Sequence, residues 1–254
     1  MTILCDDALV KAVHEGNILP AWQPVIDTNA GCIAGAEVLA RWTCSDGQSV
    51  PPDAFIPAAM RLDLIVPLTL GVMEKIRAQV MSLPVLSRPL LMGLNAEQAC
   101  FCSTDFIAAC RELMAVLVPA GAGLVVEVTE REPMSVVSQS IIADLQSAGI
   151  KVALDDFGTG HATESVLDSL QPDIVKTDRS LTSLAGTGDP QGRLTACLEM
   201  LHSRPNVTVL GEGVETQTEI QWLRSHGVSL MQGFAFSRPL TWDSFCCLLS
   251  DETK

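Results

Sequence analysis

Positive charge is scarce in this chain: 16 lysines and arginines stand against 30 aspartates and glutamates, a formal net charge of −14 over 254 residues. A partner with a long run of phosphates wants a basic stripe, so a long nucleic acid is excluded as ligand. A small anion held by metal ions and a few cationic side chains is not. Long apolar runs are missing too. No stretch reaches the roughly 18 residues of a membrane span, and Met1-Thr2-Ile3-Leu4-Cys5-Asp6-Asp7 lacks the basic flank and apolar core of a signal peptide. Histidine is sparse, with His14, His161, His202 and His226 scattered along the chain. The nine cysteines are odd in number, and the closest groups, Cys100-Phe101-Cys102 and Cys246-Cys247, lack zinc-knuckle spacing. Reduced thiols and a cytoplasmic setting are expected, either for a stand-alone protein or for the cytoplasmic part of a membrane-anchored receptor. No repeat, low-complexity tract or linker divides the chain, so residues 1–254 are expected to form one domain.

What is present is a globular composition, 48% hydrophobic and 18% charged. Short apolar segments suited to strands are Leu19–Ile26, Ile33–Ala40, Pro89–Leu94, Leu124–Val128, Val152–Leu154, Ile174–Lys176, Val207–Leu210 and Ser229–Met231. The first two flank Asp27-Thr28-Asn29-Ala30-Gly31, which is hairpin chemistry and implies an antiparallel pair. Amphipathic helices are predicted over Pro67–Val80, Thr104–Leu117, Ser135–Ala148, Glu164–Leu170, Arg193–Ser203, Gln217–His226 and Trp242–Leu249. The alternation predicts an α/β fold, a (β/α)8 TIM-like barrel with an antiparallel first strand. The stretch Thr182–Gly192 reads as a surface loop.

Polar residues punctuate this pattern. The segment Lys151–Leu154 is expected to end on Asp155 and Asp156, followed by the glycine-punctuated Phe157-Gly158-Thr159-Gly160. Adjacent acids on a strand point to opposite faces unless the strand is ending, so this is a way to set negative charge at a barrel rim, or simply an Asp-rich turn capping a helix. Glu37 lies in the second strand, expected on a solvent-accessible rim. Asn95 ends the third, Glu127 and Glu130 the fourth, Lys176 and Asp178 the sixth, Glu212 and Glu215 the seventh, and Gln232 the eighth. Parallel barrel strands open their carboxyl ends on one face, where the chemistry sits. Hard oxygen donors without clustered His or Cys suit Mg²⁺ or Mn²⁺ rather than zinc. Two such ions can clamp a phosphodiester and activate a water.

In order along the chain stand Trp22-Gln23-Pro24-Val25-Ile26-Asp27, Gly35-Ala36-Glu37-Val38-Leu39-Ala40-Arg41-Trp42, Pro51-Pro52-Asp53-Ala54-Phe55-Ile56-Pro57, Leu94-Asn95, Glu127-Val128-Thr129-Glu130, Asp155-Asp156-Phe157-Gly158-Thr159-Gly160, Val175-Lys176-Thr177-Asp178-Arg179-Ser180, Gly211-Glu212-Gly213-Val214-Glu215-Thr216 and Gln232-Gly233-Phe234. From about Ala21 to Leu249 the chain resembles the EAL phosphodiesterases, which hydrolyse cyclic di-GMP. The resemblance implies that Glu37, Asn95, Glu127 and Asp155 bind metal, with Asp156 bridging toward a second ion. It implies that Lys176 contacts the attacking water, that Glu212 assists as base or second-metal ligand, and that Glu130 anchors the loop after Asp156. Gln23 and Arg41 match positions that hold the substrate's base and phosphate, with Asp178, Glu215 and Gln232 in support and Arg179 a further anion contact. It also implies a homodimer.

The chain departs from the family pattern at Val38, where the name-giving tripeptide has Ala, at Met60 for Glu, at Asp63 for Gly, and at His161-Ala162-Thr163-Glu164 for Tyr-Ser-Ser-Leu. The alternative is therefore a catalytically silent domain of the same type that binds the nucleotide or a protein partner. An unrelated barrel, a Schiff-base aldolase using Lys176 or a glycosidase using two of the acids, fits poorly with one lysine amid many carboxylates.

Overall fold

Asp27 starts the turn from which the barrel is built. Its Oδ1 accepts the backbone N–H groups of Asn29 and Ala30 at 2.9 and 3.1 Å, folding the chain back on itself. The computed structural model describes residues 5–83, 85–129, 136–158, 164–186, 188–189 and 191–251. The turn joins β1 (Ile18–Asp27) to β2 (Cys32–Thr43) as an antiparallel pair that sets Gln23 opposite Glu37. From β2 the sheet runs in parallel through β4 (Leu90–Asn95), β5 (Ala122–Thr129), β6 (Lys151–Phe157), β7 (Ile174–Thr177), β8 (Thr208–Gly211) and β9 (Leu230–Met231). β9 returns to β1 and closes an eight-strand barrel; β3 (Ser49–Val50) is a short addition on the edge of β2. The seam at β1–β9 pairs only Ile26 with Met231 and Asp27 with Leu230. Further along β1, the N–H and C=O of Trp22 are both taken by Leu240, at 2.8 Å each.

The helices are α1 (Asp6–His14), α2 (Pro52–Arg61), α3 (Ile65–Val80), α4 (Thr104–Leu117), α5 (Val136–Ser147), α6 (Glu164–Leu170), the short α7 (Arg179–Thr182), α8 (Arg193–His202), α9 (Gln217–Ser225) and α10 (Trp242–Asp251). Their apolar faces and the outward faces of the strands form one continuous core. Among the described residues no helix is long and apolar enough to cross a membrane. All nine cysteines are free, and burial pushes the Cys110 thiol up to about 12.

A second, smaller cluster fills the barrel interior: Val25, Val125, Ala153, Ile174 and Leu210, with Leu91 and Leu230 against them. Residues two apart on a strand share a face, so this apolar plug dictates what lies one layer above it. Val125 is followed by Glu127, Ala153 by Asp155, Ile174 by Lys176, Leu210 by Glu212, Leu230 by Gln232 and Leu91 by Gly93. On the antiparallel β1 the same step runs backward, from Val25 to Gln23.

Several expectations are revised. β6 does not end at Leu154; it continues to Phe157 through a register shift against β7, and Asp156 takes a φ of 56° inside that irregularity. Glu37 is not on an open rim but 6% exposed in mid-strand. Thr182 belongs to α7 and is fully buried, so the loop begins after it. Glu130, His161 and the Ser135 start of the fifth helix lie outside the described residues.

Candidate active site

Lys176 is the centre of the layer above the plug. Its side chain is 1% exposed. The ammonium lies 3.2 Å from Glu37 Oε2, 3.4 Å from Asp155 Oδ1 and 2.7 Å from Glu212 Oε1, and it donates a short hydrogen bond to Glu127 Oε2. Asn95 Nδ2 donates to Glu37 Oε1 and Gln232 Nε2 to Glu37 Oε2, each at 2.7 Å. Side chains from seven strands, or from the residue just past a strand, therefore converge on one buried point.

Local geometry explains how each side chain arrives. Gly93 leaves the place that Glu127 fills: a Cβ there would stand 1.9 Å from Glu127 Oε1. The irregularity in β6 lets two consecutive acids serve the same mouth, with Asp155 Oδ1 accepting the N–H of Asp156 at 2.8 Å. Gly158, at a φ of 104°, lies so close to Leu181 that a Cβ would sit 1.9 Å from its Cδ1. Only glycine turns the chain there.

The charges are unbalanced, with one ammonium for four carboxylates. Burial alone would depress the Lys176 ammonium; the carboxylates of Asp155, Glu127, Glu212 and Glu37 overcome that and hold it well above its ordinary range. Burial lifts the Glu127 carboxyl to about 8 although Lys176 opposes the rise, and the charges of Glu37 and Asp155 reinforce it. Asp155 and Glu212 are raised by the same burial against the same opposing charge. Glu37 alone falls below the usual range: burial raises it, but Lys176 and the donors on Gln232, Asn95 and Lys176 outweigh that. The donor set fits a divalent cation. Glu37, Glu127 and Asp155 each offer an oxygen within 4.8 Å of one another, and further positive charge would relieve the carboxylates that burial penalises.

Two cavities meet over this cluster, sharing Glu37, Leu39 and Asp155. The larger, about 1050 Å³, is lined by Arg41, Asn95, Asp156, Met60 and Asp63 among others. The smaller, about 290 Å³, is lined by Gln23, Gln232, Glu212, Glu215, Arg179 and Phe234. Arg179 is braced by the Gly213 carbonyl at 2.8 Å and Glu215 at 2.5 Å. Asp178 lines neither cavity; its Oδ1 accepts the Ser180 N–H at 2.8 Å and caps α7. Sequence reasoning passed over Gly93. A glycine inside an apolar strand was the available signal, since it marks a close approach.

A family model described as the EAL domain matches residues 6–239. The probable cyclic di-GMP phosphodiesterase PdeG of Escherichia coli (strain K12) is 33% identical over 253 residues, covering 98% of this chain and 50% of its own. The cyclic di-GMP phosphodiesterase PdeL of the same organism is 32% identical over 246 residues, covering 96% and 68%. The chain thus spans about half of PdeG. Among solved structures, the calcium and cyclic di-GMP complex of BlrP1 from Klebsiella pneumoniae superposes with a TM-score of 0.69 at 28% identity, over 88% of this chain and 56% of that one.

Proposed function

This chain belongs to the EAL domain family, and on that premise we propose that it is a metal-dependent phosphodiesterase that hydrolyses cyclic di-GMP to the linear dinucleotide pGpG. The observation that carries the reading is the buried cluster of Glu37, Glu127, Asp155, Glu212 and Lys176 at the junction of two cavities. Relatives named as cyclic di-GMP phosphodiesterases support the substrate.

Glu37, Asn95, Glu127 and Asp155, with Asp156 beside them, would hold two ions of Mg²⁺ or Mn²⁺. When bound, such ions supply Lewis acidity to the phosphodiester and make water nucleophilic at neutral pH. The chain's own groups do the rest. Arg41 would bind a non-bridging phosphate oxygen from the wall of the larger cavity, and Gln23 and Gln232 would bind polar groups of the nucleotide from the smaller one. Lys176 stays charged among its carboxylates, so it acts as a donor that orients water, not as a base. Glu212, 2.7 Å from the Lys176 ammonium and on the wall of the smaller cavity, is the proton acceptor this reading selects. Glu215 and Arg179 brace the smaller cavity's rim, and Asp178 holds α7. On the same reading residues 1–254 are one domain that works in the cytoplasm as a homodimer.

The silent-binder alternative draws on Met60 and Asp63, which replace the family's usual residues at the rim of the larger cavity. Incubation of the purified chain with cyclic di-GMP and Mg²⁺ or Mn²⁺, with chromatographic identification of the product, separates the two.

A further inference from the structure

Thr177 and Thr182 are both fully buried directly behind the catalytic layer, a place where valine would pack equally well. Their hydroxyls are 3.2 Å apart. Thr177 Oγ1 also donates to the Leu210 carbonyl at 3.4 Å, and Thr182 Oγ1 stands 3.4 Å from the Thr177 carbonyl. That carbonyl accepts the Glu212 N–H at 3.2 Å. A proton order satisfies every group: Thr182 donates to Thr177, and Thr177 donates across to β8. Buried hydroxyls are retained only where they are bonded, because an unpaired one in a dry interior is destabilising.

The position of this relay gives it a purpose. Thr177 follows Lys176, and Leu210 lies two residues before Glu212. The β7–β8 register sets Lys176 beside Leu210 and Thr177 beside Gly211, so the ladder ends one pair past Lys176 and just before Glu212. Lys176 Nζ and Glu212 Oε1 are 2.7 Å apart, and Glu212 stands beyond the end of β8. Besides the exposed Arg179 bridge to Gly213 and Glu215, the Glu212 N–H on the Thr177 carbonyl and the Thr177 hydroxyl on Leu210 tie one strand tip to the other from inside.

We infer that Thr177 is a positioning residue for the proposed hydrolysis: its hydroxyl ties the strand that carries Lys176 to the strand that carries Glu212 and fixes the spacing of that pair. The inference rests on the hydrolase reading. Thr182 completes the hydrogen bonding from α7 but does not reach β8, so the two threonines differ in what they hold.

The test is a set of three variants assayed well below their melting temperatures. Thr177→Val keeps the shape and removes the tie to Leu210. It should lower kcat about five- to tenfold with KM unchanged, since small misplacements of reacting groups act on the chemical step. Thr177→Ser restores the donor and should recover most of that loss. Thr182→Val leaves the Thr177–Leu210 bond in place and should keep kcat within about twofold of wild type, although it too alters the buried pair. Wild-type turnover with an unchanged kcat in Thr177→Val overturns the role, and so does an equal loss in Thr182→Val, which would mark a packing effect. Absence of turnover in all four proteins removes the hydrolase reading, and this role with it.

Discussion

Lys176 and Glu37 are 139 residues apart in sequence, and the lysine ammonium lies 3.2 Å from Glu37 Oε2 with both side chains shut away from solvent. The same ammonium serves Glu127, Asp155 and Glu212. Burying charge without compensation is strongly unfavourable, so the fold must supply cations to this point. Lys176 brings one ammonium to this point, and the oxygens of Glu37, Glu127 and Asp155 fit a divalent ion for the remainder.

Removing the lysine should expose that need. In the absence of divalent ions Lys176→Ala is expected to lose about 3–5 kcal/mol of stability, the range for breaking a buried ion pair by deleting one partner. Mg²⁺ should then raise its melting temperature by more than it raises that of the wild type, because added positive charge replaces the ammonium. Denaturation curves with EDTA and with Mg²⁺ measure this; equal stability of variant and wild type in EDTA would show that the cluster is not held by Lys176.

Gly93 makes a sharper point about geometry. In Gly93→Ala the new methyl would stand 1.9 Å from Glu127 Oε1, so the Glu127 carboxylate must leave its place. Turnover should fall by about a hundredfold or more while circular dichroism shows the barrel retained. Steady-state kinetics check it, and wild-type kcat in this variant would remove Glu127 from the metal-binding set.

The pH dependence follows from Glu127. Its carboxyl is raised from 4.5 to about 8 by burial, so between those values the folded state holds a proton that the unfolded state has released. Stability from this group is present at low pH and lost as pH rises toward about 8. The metal-free protein is therefore expected to melt at progressively lower temperature across that window, and Mg²⁺ should flatten the slope by favouring the charged form. Thermal melts over pH, with and without Mg²⁺, decide it; a metal-free melting temperature that climbs through the window would contradict the sign.

Much of this site was legible in the sequence because strands have a period of two. The alternation of apolar segments and helices carried the barrel, and the Asp27–Gly31 turn carried its antiparallel opening. The step from apolar plug to polar layer, Val125 to Glu127 or Ile174 to Lys176, was there to be read, but which strands share a layer depends on register across the barrel. The run of β6 past Leu154 was hidden for the same reason. An irregular register against β7 leaves no trace in a periodic pattern, and two adjacent acids look like a strand's end. Glu37 was expected at an open rim because acids usually are; its burial comes from Lys176, Asn95 and Gln232, which neighbouring strands bring to it. α2 was missed because Pro57 sits inside it.

Arg41 should act on binding. It lines the larger cavity with Glu37 and Asn95, and a guanidinium on a non-bridging phosphate oxygen holds ground state and transition state alike. Arg41→Ala is expected to raise KM by about tenfold or more with a smaller effect on kcat. Initial rates over a range of nucleotide concentrations measure both, and a loss confined to kcat would place Arg41 in the chemical step instead.

The most direct measurement is turnover itself: purified chain, cyclic di-GMP, and either Mg²⁺ or Mn²⁺ or an excess of EDTA, with the products separated and identified. The account predicts linear pGpG with either ion, none with EDTA, and none from Glu37→Gln under any condition. Intact cyclic di-GMP recovered from the metal-containing reaction, while calorimetry shows that the nucleotide binds, would contradict it and leave a binding domain in place of an enzyme.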